Sequence, residues 1–351
     1  MVEEGKAGLK RFADLAGQGG LVESLQQAIK SHRVAHAYLV SGEAGSGKKT
    51  LALAFAQALL CQEQTATVCG VCSNCRRIEQ GTHPDVAVIE PQGGRIRIDE
   101  IRTLKDRFAL QAYGGSWKVG IIIDAETMTD AAANSLLKLL EEPFGQAVLI
   151  LLSSSPSKLL PTIVSRCQVV KMQRLSRTQI AAYLEEEEEI PAETALVVAG
   201  LADGRLGRAM EVASPKSLAW RERVLAVLAH EDGRGLEALR LAAELDDEPE
   251  AIEFAFEVMG SWFRDMLLAA TGCPQELIVN QDYFAFLSKE GKLYNEHAYH
   301  SAIYQIEDTL RAIRANANRR LALDTLLYLL SDLTSFLKAS ENHKYGKSSR
   351  S

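Results

Sequence analysis

The stretch Gly42-Glu-Ala-Gly-Ser-Gly-Lys48-Lys49-Thr50 decides how the first half of this chain is expected to fold. An apolar run, Ala37-Tyr-Leu-Val-Ser41, precedes it, and a run with helical periodicity from Leu51 to Leu60 follows it. A strand, a glycine-rich turn and a helix in this order are typical of a phosphate-binding loop. The glycines let backbone N–H groups converge on an anion, and the helix N-terminus attracts negative charge. The pattern predicts an α/β domain with a parallel sheet around this loop.

The loop supplies most of the residues predicted to bind a nucleotide: Gly42, Gly45, Gly47, Lys48, Lys49 and Thr50. The usual pattern has Ser or Thr directly after the lysine, because that hydroxyl holds magnesium. Lys49 occupies this position here, and Thr50 carries a hydroxyl one residue later. One residue along a helix turns a side chain by about 100°, so Thr50 is not an equivalent replacement. The loop alone therefore leaves three possibilities open: it hydrolyses a nucleotide, only holds one, or is a relic.

Composition limits the class of protein. The 351 residues are 47% hydrophobic and 24% charged, which is ordinary for a globular protein with two or three domains. The N-terminus lacks a signal-peptide pattern, and no apolar run is long enough to span a bilayer, so we expect a cytoplasmic protein without a membrane partner. The net charge of −7 argues against a chain that binds DNA unaided, so any DNA contact is expected to be shared with partners.

Four of the six cysteines lie close together in the spacing C-x7-C-x2-C-x2-C; they are Cys61, Cys69, Cys72 and Cys75. Four thiolates at such spacings can surround one ion tetrahedrally, which favours a structural zinc. A disulfide is disfavoured in a cytosolic chain, and an iron–sulfur cluster or a redox pair has no second cofactor signature to support it. Because four ligands leave no open coordination position, the ion is expected to stabilise the fold rather than react.

A second apolar run, Trp117-Lys-Val-Gly-Ile-Ile-Ile-Asp124, predicts a buried parallel strand that ends in a carboxylate. Asp124 is therefore expected beside the phosphate loop, where a carboxylate can bind magnesium through water. An ATPase of this type has a glutamate directly afterwards to polarise the attacking water, but Ala125 stands there. Glu126 follows, and the alternation of side chains along a strand predicts that it points the other way. Both features argue against hydrolysis.

Several motifs together carry a resemblance to one family. They are the phosphate loop, the four-cysteine insertion after its helix, Asn134-Ser-Leu-Leu-Lys-Leu-Leu-Glu-Glu-Pro143 and Ser165-Arg166-Cys167. This set resembles the clamp-loader branch of the AAA+ ATPases, and the likeness extends from about residue 10 to residue 338. Three segments are similar to a subunit of that family other than its ATPase subunit: the turn His83-Pro-Asp85, the segment Ile96 to Arg102 that follows it, and the segment Asn316 to Leu327.

The resemblance implies roles for single residues. Arg166 would be an arginine finger that reaches the ATP of a neighbouring subunit, because a guanidinium offers a rigid fork of donors to phosphate. The alternative is that Arg166 only ties down its own loop. Ser154 would occupy the first sensor position, and Gly207 stands where a second sensor arginine is expected. Arg208 lies beside Gly207 and would partly compensate for the missing arginine. The loss of the magnesium-binding hydroxyl, the water-polarising glutamate and the second sensor arginine together should abolish turnover. The loop amides and Lys48 can still hold ATP. Whether magnesium accompanies the ATP stays open.

The resemblance also implies a fold class, α/β followed by all-α, and a domain order. Residues 1–172 would form an AAA+ P-loop domain with a zinc module at 61–75, residues 173–214 a helical lid, residues 215–338 a helical collar that holds a pentameric loader together, and residues 339–351 a disordered tail.

The function that the resemblance implies is that of a stator, with weak or no ATPase activity of its own, in clamp loading during DNA replication. The implied partners are the ATPase (gamma/tau) subunits and the delta subunit of the loader, the sliding clamp indirectly, and primer-template DNA through the assembled complex. Two alternatives stay open. One is an active clamp-loader ATPase, and the other is a zinc-bearing DNA-binding module unrelated to replication.

Overall fold

The computed structural model describes residues 17–63, 66–110, 112, 117–142, 144–229, 234–292 and 295–331. They form two compact units. Unit 1 contains the described residues up to Gln179 together with Arg205–Gly207, and unit 2 contains Ile180–Gly204 and the described residues from Arg208 onward. The tail predicted at residues 339–351 lies outside the described residues. Within the described part of the chain, no helix combines the length and the apolar character needed to cross a membrane.

Unit 1 is built on a five-stranded parallel sheet. Its strands are β1 Ala37–Ser41, β2 Val86–Ile89, β3 Lys118–Ile122, β4 Ala147–Ser153 and β5 Gln168–Lys171. Its helices are α1 Gly19–Lys30, α2 Lys48–Leu60, α3 Ser73–Glu79, α4 Ile98–Ala109, α5 Asp130–Glu141 and α6 Pro161–Val164, with α7 Arg177–Glu187 beginning in this unit. The strand order is β2-β3-β4-β1-β5, and every neighbouring pair is parallel. The predicted parallel sheet is confirmed.

The sheet is covered by helices on both faces, which explains why its central strands are continuous apolar runs. Strands β1, β3 and β4 are buried along their whole length. One face packs against α1 and α2, where the rings of Tyr38 and Phe55 meet edge to face at 5.1 Å between centroids. The other face packs against α4 and α5 through residues such as Ile101 and Leu136.

The order of the strands places three polar segments at one edge of the sheet. Because all strands are parallel, their carboxyl ends lie at the same edge. Strand β1 leads there into Gly42, its neighbour β4 into Ser154, and β3 into Asp124. The phosphate loop therefore starts at an interior strand, beside the end of β4, and the end of β3 lies one strand further along.

In unit 2, the regular elements among the described residues are all helices. They are α8 Ala192–Leu201, α9 Leu206–Val212, which begins in unit 1, α10 Pro215–Ala229, α11 Arg234–Asp247, α12 Ile252–Ala270, α13 Phe284–Glu290, α14 Glu296–Arg314 and α15 Arg319–Ser331. Helix α12 packs against α10, α13 and α14. Its aromatic residues Phe256, Trp262 and Phe263 are buried in the core of this unit.

Candidate functional site

The phosphate loop joins β1 to α2 through a backbone that needs glycine at Gly47. This residue has φ of +90° and precedes the first residue of α2, and residues with a side chain rarely tolerate that conformation. Lys48 is the first helical residue, and it is 8% exposed. The strand, the turn and the helix N-terminus thus occur in the order that the sequence predicted.

Lys48 is held by hydrogen bonds to its own loop and to the residue that follows β4. Its Nζ donates hydrogen bonds to the carbonyl oxygens of Gly42 at 2.6 Å and Glu43 at 2.8 Å, and to Ser154 Oγ at 3.0 Å. Burial lowers the pKa of Lys48, and the nearby carboxylates, first Asp124, counteract this shift. The structure therefore brings together three predicted site residues, Lys48, Ser154 and Asp124.

Glu126 also reaches this cluster, so the prediction that it points the other way is wrong. The reason is that β3 ends at Ile122, and Asp124, with φ of +48°, leads into a 3₁₀ turn at Ala125–Thr127. Strand alternation therefore does not apply here. Glu126 Oε1 accepts hydrogen bonds from the backbone N–H groups of Ser154 at 2.8 Å and Ser155 at 3.1 Å.

The pKa of Glu126 reflects this position. Burial opposes its ionisation, but hydrogen bonds from its own backbone N–H and from Ser153, Ser154 and Ser155 together outweigh burial and hold the pKa below its ordinary value. A carboxylate with its charge stabilised in this way fixes the backbone that follows β4. The residue directly after Asp124 is Ala125, which is fully buried and has no polar side chain.

Lys49, in the position of the magnesium-binding hydroxyl, contacts a carboxylate instead. Its Nζ lies 2.6 Å from Glu90 Oε1, just beyond β2, and both side chains are about half exposed. Thr50 lies further along α2 and is partly buried. The structure thus directs the Lys49 side chain toward the end of β2, where an exposed ion pair is expected to contribute about 0–1 kcal/mol.

The two residues at the expected second sensor position belong to different units. Gly207 belongs to unit 1, and its N–H donates to the Gly45 carbonyl at 2.8 Å. Arg208 belongs to unit 2, where its guanidinium binds Glu211 at 2.9 Å and Glu257. A compensating role of Arg208 at the phosphate loop stays a prediction.

Arg166 lies just after α6 and has two partners in the chain. Its Nη1 donates to the carbonyl of Thr162 at 3.0 Å, and its Nη2 lies 2.8 Å from Glu141 Oε1 at the end of α5. The side chain keeps 37% of its surface exposed. Burial raises the pKa of the adjacent Cys167 to about 11, so this thiol is a poor nucleophile.

The four clustered cysteines converge, with all sulfurs within 4.8 Å of one another. Cys61 directly follows α2, Cys69 and Cys72 lie on the turn leading into α3, and Cys75 lies in the first turn of α3. Backbone N–H groups point at two of the sulfurs, from Cys72 to Cys69 Sγ and from Cys75 to Cys72 Sγ, both at 3.4 Å. A tetrahedral zinc with bonds of about 2.3 Å needs sulfurs about 3.8 Å apart. Cys69 Sγ and Cys75 Sγ are 3.9 Å apart, so the donor set fits zinc.

Two side-chain amides fasten the cysteine cluster to the phosphate-loop helix. Asn74 Nδ2 donates to the carbonyl of Leu60 at 2.8 Å, and Gln57 Nε2 donates to that of Cys75 at 3.1 Å. His83 stays outside the metal-ligating group, since its Nδ1 accepts from the N–H of Asp85 within the turn.

Sequence reasoning missed two acids that contact predicted site residues, Glu90 and Glu141. Both stand at the end of an element, Glu90 after β2 and Glu141 at the last residue of α5. The available signal was an acidic residue at an element end near a predicted basic residue. That signal is weak, because it does not state which base the acid meets.

Comparisons with known proteins show what this chain is similar to. The family model described as "DNA polymerase III, delta subunit" matches residues 17–176. DNA polymerase III subunit delta-prime of Bacillus subtilis is 29% identical over 320 residues, which cover 90% of this chain and 96% of the relative. The delta-prime subunit of Pseudomonas aeruginosa is 49% identical over 136 residues, which cover 38% of this chain and 42% of the relative. The tau/gamma subunit of Haemophilus influenzae is 30% identical over 363 residues, which cover 94% of this chain and 51% of the relative. The match thus spans about half or less of the length of each of these last two relatives. The chain is thus similar to delta-prime and tau/gamma subunits of DNA polymerase III, and to the delta-prime subunit of Bacillus subtilis over nearly the full length of both proteins.

Proposed function

We propose that this chain is the delta-prime subunit of a DNA polymerase III clamp loader. It acts as a stator that hydrolyses little or no ATP and supplies Arg166 to the ATP of a neighbouring gamma/tau subunit. With the delta subunit it supports loading of the sliding clamp onto primer-template DNA in the cytoplasm. Relatives named delta-prime support the assignment.

The observation that carries the non-hydrolysing role is that two positions at the carboxyl edge of the sheet lack the side chains that hydrolysis needs. Lys49 is bound to Glu90 at the position of the magnesium-binding hydroxyl. The buried Ala125 replaces the carboxylate that would polarise water. Loss of a general base or a charge clamp typically lowers a rate by about 10² or more, so both losses together should leave little turnover.

Three groups have candidate ligands in this chain: ATP, magnesium and zinc. The loop amides and Lys48 would hold the phosphates of ATP, and Asp124 would face an accompanying magnesium ion. Magnesium, when bound, neutralises phosphate charge. The four cysteines would hold a structural zinc with no open position, which ties the segment after α2 to α3.

Arg166 can serve a neighbour because its guanidinium is only partly used. A guanidinium has five N–H donors, and one contact to Thr162 and one to Glu141 leave others for phosphate oxygens. The partly exposed side chain is also accessible to another subunit. We further propose that residues 173–214 form a lid and residues 215–338 a collar that binds the other loader subunits.

The test is reconstitution with the ATPase and clamp-opening subunits, measuring ATPase and clamp loading with and without this chain. We expect Arg166→Ala to preserve assembly and to lower the ATPase of the complex strongly. Unchanged ATPase would remove the finger assignment. Robust magnesium-dependent turnover by the purified chain would instead favour the active ATPase. Tight DNA binding without association with loader subunits would favour the zinc-bearing DNA-binding module.

A further inference from the structure

The segment Arg205–Gly207 touches the phosphate loop through backbone at Gly207. The Gly207 N–H donates to the Gly45 carbonyl at 2.8 Å. A Cβ added to Gly207 would lie 2.8 Å from that oxygen and 3.1 Å from Gly45 Cα, so the backbone would have to move apart to admit it. The φ of Gly207 is not left-handed, so glycine is needed here for space and not for conformation.

The loop beneath this contact has its charged groups satisfied from within the protein. The three donors of the Lys48 ammonium are all used, on Gly42, Glu43 and Ser154. The Glu43 carboxylate accepts from Arg174 Nε at 3.1 Å. An incoming phosphate would therefore have to replace hydrogen bonds that the loop already makes.

We propose that Arg205–Gly207 is a latch that holds the phosphate loop closed, so that a nucleoside triphosphate binds only after Gly207 leaves Gly45. At 2.8 Å between backbone atoms, no ligand atom fits between the two residues. Any side chain at position 207 collides with the loop in this arrangement, so a sensor arginine there is incompatible with closure. The latch controls nucleotide access to this subunit, and it does not depend on the role of Arg166.

The latch makes a quantitative prediction for binding. When only a fraction of molecules is open, the apparent dissociation constant equals the intrinsic constant divided by that fraction. Gly207→Ala removes the close approach and the hydrogen bond that depends on it. Loss of one backbone hydrogen bond destabilises the closed state by the net free energy of that bond. The open fraction should therefore rise, and the apparent affinity should become about 2- to 13-fold tighter.

The experiment titrates MgATP into the full-length chain by calorimetry. Gly20→Ala is the matched control, because Gly20 lies on α1 and a Cβ added there would have no atom within 4 Å. We expect weak binding by wild type and the control, and tighter binding by Gly207→Ala. Equal or weaker binding by Gly207→Ala overturns the latch. This result would leave the Arg166 assay untouched, so the two proposals fail separately.

Hydrogen exchange tests the latch in the wild-type chain, without a variant that has to fold. The Gly207 amide should exchange slowly in the absence of nucleotide, since it is a donor to Gly45. Saturating MgATP should increase its exchange. A Gly207 amide that exchanges fast without nucleotide, or becomes more protected with it, contradicts the proposal.

Discussion

Removal of Glu141 should separate the two possible roles of Arg166. If Arg166 serves mainly to tie its loop to α5, Glu141→Ala and Arg166→Ala should have the same effect. The ion pair joins side chains that are 37% and 51% exposed, and such pairs are worth about 0.2–1 kcal/mol. For a unit of this size, that corresponds to a decrease in melting temperature of at most about 4 °C.

The effect on catalysis should differ between the two variants. An arginine finger supplied to a neighbour is worth about 10³–10⁵ in rate, far more than the ion pair can account for. Glu141 competes with the phosphate for the guanidinium, so its removal should change the rate by no more than about 5-fold, the equivalent of 1 kcal/mol. We therefore expect a large ATPase loss for Arg166→Ala and a small change for Glu141→Ala.

The assay combines steady-state ATPase of the reconstituted complex, with clamp and primed DNA, and thermal melting of the isolated chain. Glu142→Ala is the control, since it removes an exposed carboxylate next to Glu141. Equal ATPase losses in Glu141→Ala and Arg166→Ala, accompanied by equal losses in melting temperature, would refute the finger and establish a structural role for the pair.

Three further predictions follow from single contacts. Lys118→Met should destabilise the chain by about 1–3 kcal/mol in urea unfolding, because the buried Nζ donates hydrogen bonds to carbonyl oxygens at the end of α4. Lys105→Met, at an exposed position, is the control. Equal unfolding midpoints for the two variants would contradict this prediction. Metal analysis should find zinc in wild type and Cys273→Ser but not in Cys72→Ser, and a metal-free native protein would rule the zinc out. The pKa of Glu126 is lower in the folded chain, so its contribution to stability is present above about pH 4.5 and is lost as pH falls through the folded pKa. Glu126→Gln should flatten this acid dependence, and a stability profile parallel to wild type would disprove it.

The sheet could be predicted because it depends on local patterns. Buried parallel strands must be apolar on both faces, so β1 and β3 could be predicted from their continuous apolar runs. The glycine-rich turn then fixed the place of α2. The exact end of β3 was not visible, because Ile123 continues the apolar run after the strand pairing has ended at Ile122.

The pairings within the site could not be predicted in the same way. Glu126 reaches Ser154 across 28 positions in sequence, Glu90 reaches Lys49 across 41, and Glu141 reaches Arg166 across 25. Such contacts depend on where two elements lie in space, and neither residue's neighbours encode its partner. The cysteine cluster is the opposite case, since its short spacing makes convergence a local property.

The contacts at the sheet edge give the phosphate loop a use that needs no hydrolysis. Lys48 joins the end of β1 to Ser154, and Glu126 binds the N–H groups of Ser154 and Ser155. The chain continues from these serines through α6 to Arg166. Anchoring at Ser154 and Ser155 therefore fixes the start of the segment that presents the proposed finger. Alanine at position 125 leaves this anchor intact, so the phosphate loop can determine where Arg166 lies whether or not it hydrolyses a nucleotide.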